Sequence, residues 1–213
     1  CLETMTKKER ALQAVTLLEQ EYPAVKCALE YKKDYELLFA TRLSAQCTDV
    51  RVNLVTKDLF TQLPSLEAFA NAPIGQIEGL IKTCGLYHTK ARDLQNCAFM
   101  LLTEFDGKVP DTMEDLLRLP GIGRKTANLI LGDIYGKPAI VADTHCIRLA
   151  NRLGLVESTK DPYKVELALK AIVPDEKQSD FCHRLVWHGR LVCTARKTHC
   201  DKCCLAEVCP GAR

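Results

Sequence analysis

The chain has 213 residues, 47% hydrophobic and 26% charged, which is enough for one or two domains with a packed core. Its net charge of +2 is too small to indicate a nucleic-acid-binding protein by itself, and no apolar run is long enough to span a bilayer. The charge is unevenly distributed, since residues 1–117 carry 13 Lys+Arg against 17 Asp+Glu and residues 118–213 carry 16 against 10. A polyanionic partner is therefore expected to bind through the second half.

Hydrophobic periodicity and capping residues predict about ten helices joined by short loops, and no stretch alternates as a strand would. Capping residues predict that three helices begin at Thr48 or Asp49, at Thr89, and at Asp111 with Glu114. In chain order, helices are predicted over 7–21, 34–46, 48–60, 65–71, 73–83, 89–105, 111–119, 123–135, 143–153, 162–173 and 176–192. The sequence therefore predicts an all-α fold.

The most informative stretch is Leu119–Ala127, in which Gly121 and Gly123 flank one isoleucine and a helical pattern resumes at once. Glycine permits a sharp turn, and the free N–H groups of the following helix can bind phosphate. Arg124 and Lys125 add positive charge there. A cation is disfavoured in the first turn of a helix, whereas a neutral lysine amine is the form that attacks carbon. A solvated lysine beside a phosphate is the simpler interpretation of this segment alone.

A cysteine cluster lies near the end of the sequence, with the spacing Cys-x6-Cys-x2-Cys-x5-Cys formed by Cys193, Cys200, Cys203 and Cys209. Four thiolates in one short loop suit either zinc or an iron–sulfur cluster, and the single Cys-x2-Cys half favours iron–sulfur. Cys204 is a spare thiol, and His199 is an alternative zinc ligand. Within the loop, Arg196 and Lys197 could form a phosphate-binding surface or could simply be solvated.

Together these motifs resemble endonuclease III, a family of helix-hairpin-helix DNA glycosylases, over roughly residues 34–209. Two departures from the family pattern are Ala142, where valine is usual, and Cys84, where an apolar residue is usual. The segments that carry the resemblance are Leu43-Ser44-Ala45-Gln46 with Thr48-Asp49, Gly85-Leu86-Tyr87, Leu119–Ala127, Asp143-Thr144-His145, His188-Gly189-Arg190 and the four-cysteine spacing.

The resemblance implies a bifunctional DNA glycosylase/AP lyase of base excision repair that removes oxidised pyrimidines. In such an enzyme, Lys125 would attack C1′ of the sugar and Asp143 would be the assisting carboxylate, although Asp143 is also a natural N-cap. Gln46 and Leu86 match positions that fill the gap left by a flipped nucleotide. Gly121, Gly123 and Arg124 would grip the DNA backbone, and the four cysteines would hold a [4Fe–4S] cluster.

The expected arrangement is two helical domains with a DNA-binding cleft between them. The domain with residues 27–137 would contain the hairpin, and residues 1–26 plus 138–213 would form the cluster domain. The expected partner is double-stranded DNA containing damaged pyrimidines or abasic sites, and no association with a membrane is expected. The protein is expected to be a monomer in the bacterial cytoplasm, where it would associate with the nucleoid. The alternatives are a monofunctional mismatch glycosylase and a non-catalytic helix-hairpin-helix DNA-binding protein.

Overall fold

The structure, a computed structural model, describes residues 4–212. Within that range the regular structure is helical, and the only strand-like feature is one antiparallel bridge between Cys193 and Thr198. The all-α prediction is therefore confirmed. None of the helices in the described range is both long enough and apolar enough to cross a membrane. The helices are α1 (Lys7–Glu21), α2 (Asp34–Leu43), α3 (Asp49–Gln62), α4 (Leu66–Asn71), α5 (Ile74–Ile81), α6 (Tyr87–Glu104), α7 (Met113–Arg118), α8 (Arg124–Asp133), α9 (Thr144–Arg152), α10 (Pro162–Ile172) and α11 (Gln178–Leu191).

Three predicted helix boundaries are wrong, each for a local reason. Helix α2 ends at Leu43, before Gln46, which takes a left-handed backbone with φ 54°. Helix α6 begins at Tyr87 instead of after Thr89, and its N-cap position is Leu86 with φ 48°. The N-cap of α7 is Thr112, whose hydroxyl accepts a hydrogen bond from the Asp115 N–H, so Asp111 does not cap that helix.

The chain divides into two compact units, one formed by residues 27–134 and the other by residues 1–26 with 135–213. In the unit of residues 27–134, α2 is buried along most of its length because its apolar side chains are not confined to one stripe. Four aromatic rings, two of them on α2 itself, pack edge to face in this core, and the Phe39 and Phe69 centroids are 4.9 Å apart. The rings belong to Tyr35, Phe39, Phe60 and Phe69.

The other unit has its own core, made by the apolar faces of α1, α9, α10 and α11. Gly189 allows α9 and α11 to approach closely, because a Cβ there would lie 2.7 Å from His145 Nδ1 and 2.9 Å from Arg148 Nη2. The end of α1 is fastened to α11, since Arg184 Nε donates to the Tyr22 carbonyl at 3.0 Å. Within the segment His188-Gly189-Arg190, Gly189 therefore has a packing role in this fold.

The bend between α7 and α8 is built around Gly121, which has φ +74°. The glycine sits on an ion pair between helices α2 and α6, in which Arg42 Nε donates to Asp93 Oδ2 at 2.7 Å. A Cβ at Gly121 would lie 2.6 Å from each of these two atoms. By contrast, Gly123 has an extended backbone with φ −101° and ψ −178°, and a Cβ there would meet nothing within 4 Å.

These two glycines provide a matched pair of substitutions. We expect Gly121→Ala to lower the free energy of unfolding by about 2 to 4 kcal/mol, because it adds left-handed strain and disturbs a partly buried ion pair. Gly123→Ala should lower it by less than about 1 kcal/mol. Urea denaturation followed by circular dichroism measures both values, and equal losses for the two variants would contradict this account of the bend.

Candidate active site and cysteine cluster

The amino end of α8 is placed directly after the Gly121 bend. Gly123 is the N-cap residue and has no side chain, so it cannot cap the first N–H groups of this helix. Lys125 lies in the first turn with an exposed side chain. Within residues 4–212 its amine makes no hydrogen bond or ion pair with the protein. An exposed amine at the amino end of a helix can reach a molecule bound there through a phosphate.

Two loops in the same unit present Gln46 and Leu86. Both residues have a left-handed backbone, which is uncommon for a bulky side chain and is held only when the surroundings enforce it. Gln46 is exposed, and the apolar side chain of Leu86 is 57% exposed. Their positions suit side chains that project into a bound partner instead of into a core.

A buried lysine joins these two loops. The Lys90 ammonium donates to the carbonyls of Leu43 and Ala45 at 2.8 Å each, and to the Cys84 carbonyl at 2.9 Å. The side chain is fully buried, and burial lowers the pKa of Lys90. No prediction from the sequence included Lys90. Its position on α6 indicates burial, because Lys90 shares the buried face of that helix with Leu94, Cys97 and Leu101.

Asp143 lies in the other unit, where it caps α9. Its Oδ1 accepts a hydrogen bond from the Cys146 N–H at 2.7 Å, and the side chain is half-buried. Oδ2 accepts no hydrogen bond from any residue in the described range. The carboxylate therefore keeps one oxygen available while the other holds the helix. Lys125 and Asp143 thus belong to different units, and each is fixed by the start of its own helix.

The predicted cysteine ligands do come together, because Cys193, Cys200, Cys203 and Cys209 line one small cavity. Cys193 follows α11, and its N–H donates to the His188 carbonyl at 2.9 Å. The other three cysteines are set by two short 3₁₀ turns, Cys200–Lys202 and Ala206–Val208. Cys204 is not among the residues described as lining this cavity.

Polar groups surround the four sulfurs. Arg152 Nη1 donates to Cys193 Sγ at 3.1 Å, and His188 Nε2 lies 3.2 Å from Cys203 Sγ. Burial lowers the pKa of His188 to about 4, so its imidazole is neutral. Tyr22 Oη lies 2.9 Å from Nδ1 of the same imidazole. Burial, together with the neighbouring thiolates, raises the pKa of Cys203, and burial likewise raises that of Cys209.

Such thiols resist ionisation until a cation shares their site, and a bound metal provides that charge and leaves them deprotonated. The residues present therefore fit a metal cluster. The basic residues of the same loop, Arg196 and Lys197, are exposed. The turn that carries them is closed by the Thr194 N–H, which donates to the Lys197 carbonyl at 3.1 Å.

Comparison with known proteins places this architecture in a family. The HhH-GPD superfamily of base excision DNA repair proteins matches residues 39–175. Endonuclease III of Synechocystis sp. is 44% identical to this chain over 209 residues, which cover 98% of this chain and 95% of the relative. Endonuclease III of Escherichia coli is 37% identical over 202 residues, which cover 95% of each chain.

A solved structure described as a trapped endonuclease III–DNA covalent intermediate superposes with a TM-score of 0.91 at 37% identity, covering 97% of both chains. The sequence similarity and the structural similarity thus extend over nearly the whole length. The chain belongs to the endonuclease III family of the HhH-GPD superfamily of base excision DNA repair proteins.

Proposed function

We propose that this chain is a bifunctional DNA glycosylase and AP lyase of base excision repair, which removes oxidised pyrimidines from double-stranded DNA. The observation that carries the proposal is the exposed Lys125 amine in the first turn of a helix whose N-cap residue is a glycine. A relative solved as a covalent intermediate with DNA supports a covalent mechanism for this family member too.

Lys125 acts as the nucleophile in this proposal. Its neutral amine attacks C1′ of the flipped nucleotide, the bond from C1′ to the base breaks, and the base leaves with the electron pair. Loss of a proton from nitrogen and opening of the sugar ring give an imine. The imine acidifies the C2′ proton, whose removal expels the 3′ phosphate by β-elimination. Water then hydrolyses the imine and releases the lysine.

Asp143 supplies the negative charge that this chemistry needs. As the base departs, the sugar gains oxocarbenium-like positive charge, which a nearby carboxylate stabilises. The same carboxylate can accept a proton from the lysine. Oδ1 is held by the N-cap hydrogen bond to Cys146, so the orientation of the carboxylate is set before DNA arrives. Capping and catalysis are compatible because they use different oxygens.

Binding to DNA is assigned to two kinds of contact. Gly121, Gly123 and Arg124 hold the backbone at the amino end of α8, and the exposed Arg196 and Lys197 add phosphate contacts from the cysteine loop. Leu86 enters the stack as an apolar wedge, and Gln46 faces the base left without a partner. These contacts do not read sequence, as a repair enzyme requires.

The metal group assigned to Cys193, Cys200, Cys203 and Cys209 is a [4Fe–4S] cluster, and these four thiolates would hold it. Bound there, the cluster supplies charge compensation and a rigid centre for the loop that carries Arg196 and Lys197. We also propose that residues 27–137 and residues 1–26 with 138–213 act as the two functional domains. A monomer suffices, because Lys125 and Asp143 come from one chain.

The nucleophile is tested with a duplex containing thymine glycol. The wild-type protein should release the base, cut the strand and give a covalent adduct with borohydride. Lys125→Gln should reduce adduct formation at least about 10³-fold, because the imine cannot form. Lys57→Gln, at an exposed position on α3, is the control and should stay within about twofold of wild type.

The same assay separates the alternatives. A non-catalytic DNA-binding protein releases no base, and a monofunctional glycosylase releases the base without a trapped adduct. Unchanged trapping by the Lys125→Gln protein would refute the assignment of the nucleophile.

Asp143→Asn separates the two roles of the carboxylate. Asparagine caps helices about as well as aspartate, so the free energy of unfolding should change by less than about 1 kcal/mol. Base release in a single turnover should nevertheless slow by about 10²- to 10⁴-fold, because the charge is lost. If the variant remains folded and fully active, Asp143 is only a helix cap.

The identity of the cluster can be read from a visible absorption spectrum. Protein purified without oxygen should be brown from thiolate-to-iron charge transfer, whereas a zinc site would be colourless. Cys203→Ala should abolish the colour and lose the iron. The adjacent Cys204→Ala should retain both the colour and the iron. Colour loss in both variants, or zinc in place of iron on elemental analysis, would contradict the ligand assignment.

A further inference from the structure

Two cysteines lie beside the residues that the proposed function assigns to the gap in the DNA. Cys47 follows Gln46 directly, and Cys84 precedes Leu86 by two residues. Both thiols are free, and Cys47 is near enough to Cys84 to help raise the pKa of Cys84, while Cys47 Sγ donates to the Thr48 carbonyl at 3.8 Å. Cys47 is half-buried, whereas Cys84 is 3% exposed. A reagent in solvent can therefore reach Cys47 more readily than Cys84.

The backbone keeps these two thiols in register. The Lys90 ammonium holds the Ala45 carbonyl at 2.8 Å and the Cys84 carbonyl at 2.9 Å, so one buried group fixes both loops. Thr48 caps α3 directly after Cys47, and Cys84 closes the 3₁₀ turn Lys82–Cys84. Because one ammonium binds both loops, the two cysteines are held near each other, as a disulfide requires when it bridges Cα atoms no more than about 7 Å apart.

We propose that Cys47 and Cys84 form a reversible disulfide in the presence of a low-molecular-weight disulfide, and that this bond weakens the hold of the protein on damaged DNA. The first part concerns only the two thiols. The second part rests on the proposed function, because it requires Gln46 and Leu86 to enter the DNA.

The exchange proceeds in two balanced steps. Cys47, as thiolate, attacks one sulfur of the small disulfide, whose S–S bond breaks and releases one small thiol after it takes up a proton. Cys84 then loses its proton and attacks the Cys47 sulfur, which releases the second small thiol. Two protein thiols are oxidised, and one small disulfide is reduced to two thiols.

The order of attack follows from the surroundings of the two thiols. Cys47 is reached first because Cys84 is buried. Burial raises the pKa of Cys84 to about 11, which keeps it a thiol until the first step has placed a sulfur electrophile against it. The positive charges of Lys90 and Arg51 oppose part of that rise and favour the thiolate during the second step.

The bond would affect binding because it joins two loops that present the gap-filling side chains. Gln46 and Leu86 both have left-handed backbones, at φ 54° and φ 48°. Adjusting either side chain to a duplex requires rotation of the backbone next to a cysteine, and a covalent bridge removes that freedom from both loops at once.

The test uses the reduced protein with its metal group in place, treated with glutathione disulfide, alkylated and digested with trypsin. The tryptic peptides 43–51 and 83–90 each carry one of the two cysteines, and we expect them joined, with a reductant separating them again. Cys47→Ser and Cys84→Ala should each abolish the joined pair. Cys97→Ala, a buried cysteine on α6 of the same unit, is the control and should retain it.

Affinity for a duplex with an abasic-site analogue is measured on the same samples. The bridged protein should bind at least about fivefold more weakly than the reduced one, with recovery on reduction and no response in Cys47→Ser, which lacks the attacking thiol. A mixed disulfide of Cys47 with glutathione and no joined peptides would overturn the proposal. Equal affinity of the bridged and reduced proteins would overturn its second part. If the reduced protein does not bind this duplex at all, the proposed function fails, and the peptides still decide whether the disulfide forms.

Discussion

The left-handed bend at Gly121, seated on the Arg42–Asp93 ion pair, is the constraint on which the candidate site depends. The pair joins α2 to α6, and a Cβ on residue 121 would lie 2.6 Å from both Arg42 Nε and Asp93 Oδ2, so the chain can pass over the pair only with glycine there. Because the bend fixes where α8 begins, it also fixes the N–H groups of the first turn and the Lys125 amine there. The proposed phosphate site and the proposed nucleophile would thus be placed by the same few backbone angles.

Polar groups beside the proposed site have structural roles, and for Asp143 we propose a chemical role as well. Asp143 holds α9 with one oxygen and leaves the other available, and the buried Lys90 fastens the two loops that present Gln46 and Leu86. Replacing such a group with alanine changes stability and chemistry together. Substitutions that keep one role and remove the other, such as aspartate to asparagine at a helix cap, are therefore the informative ones.

The sequence was sufficient for the helical class, most of the helices and the family, because periodicity and glycine spacing are local signals. It also identified the four cysteines that line one cavity. It did not reveal the left-handed backbones of Gln46 and Leu86, since neither residue type favours that conformation and tertiary contacts impose it. Contacts distant in sequence were missed for the same reason. The Lys90 hydrogen bonds span up to 47 residues, and nothing local marks the Leu43 carbonyl as the partner.

The central claim is that the Lys125 amine becomes covalently attached to the sugar during repair. The most direct measurement is tandem mass spectrometry of the borohydride-trapped complex, after the DNA has been digested to a sugar remnant. The account predicts that the remnant lies on Lys125 and on no other residue. A remnant on another amine, or base release with no attached sugar at all, would contradict it.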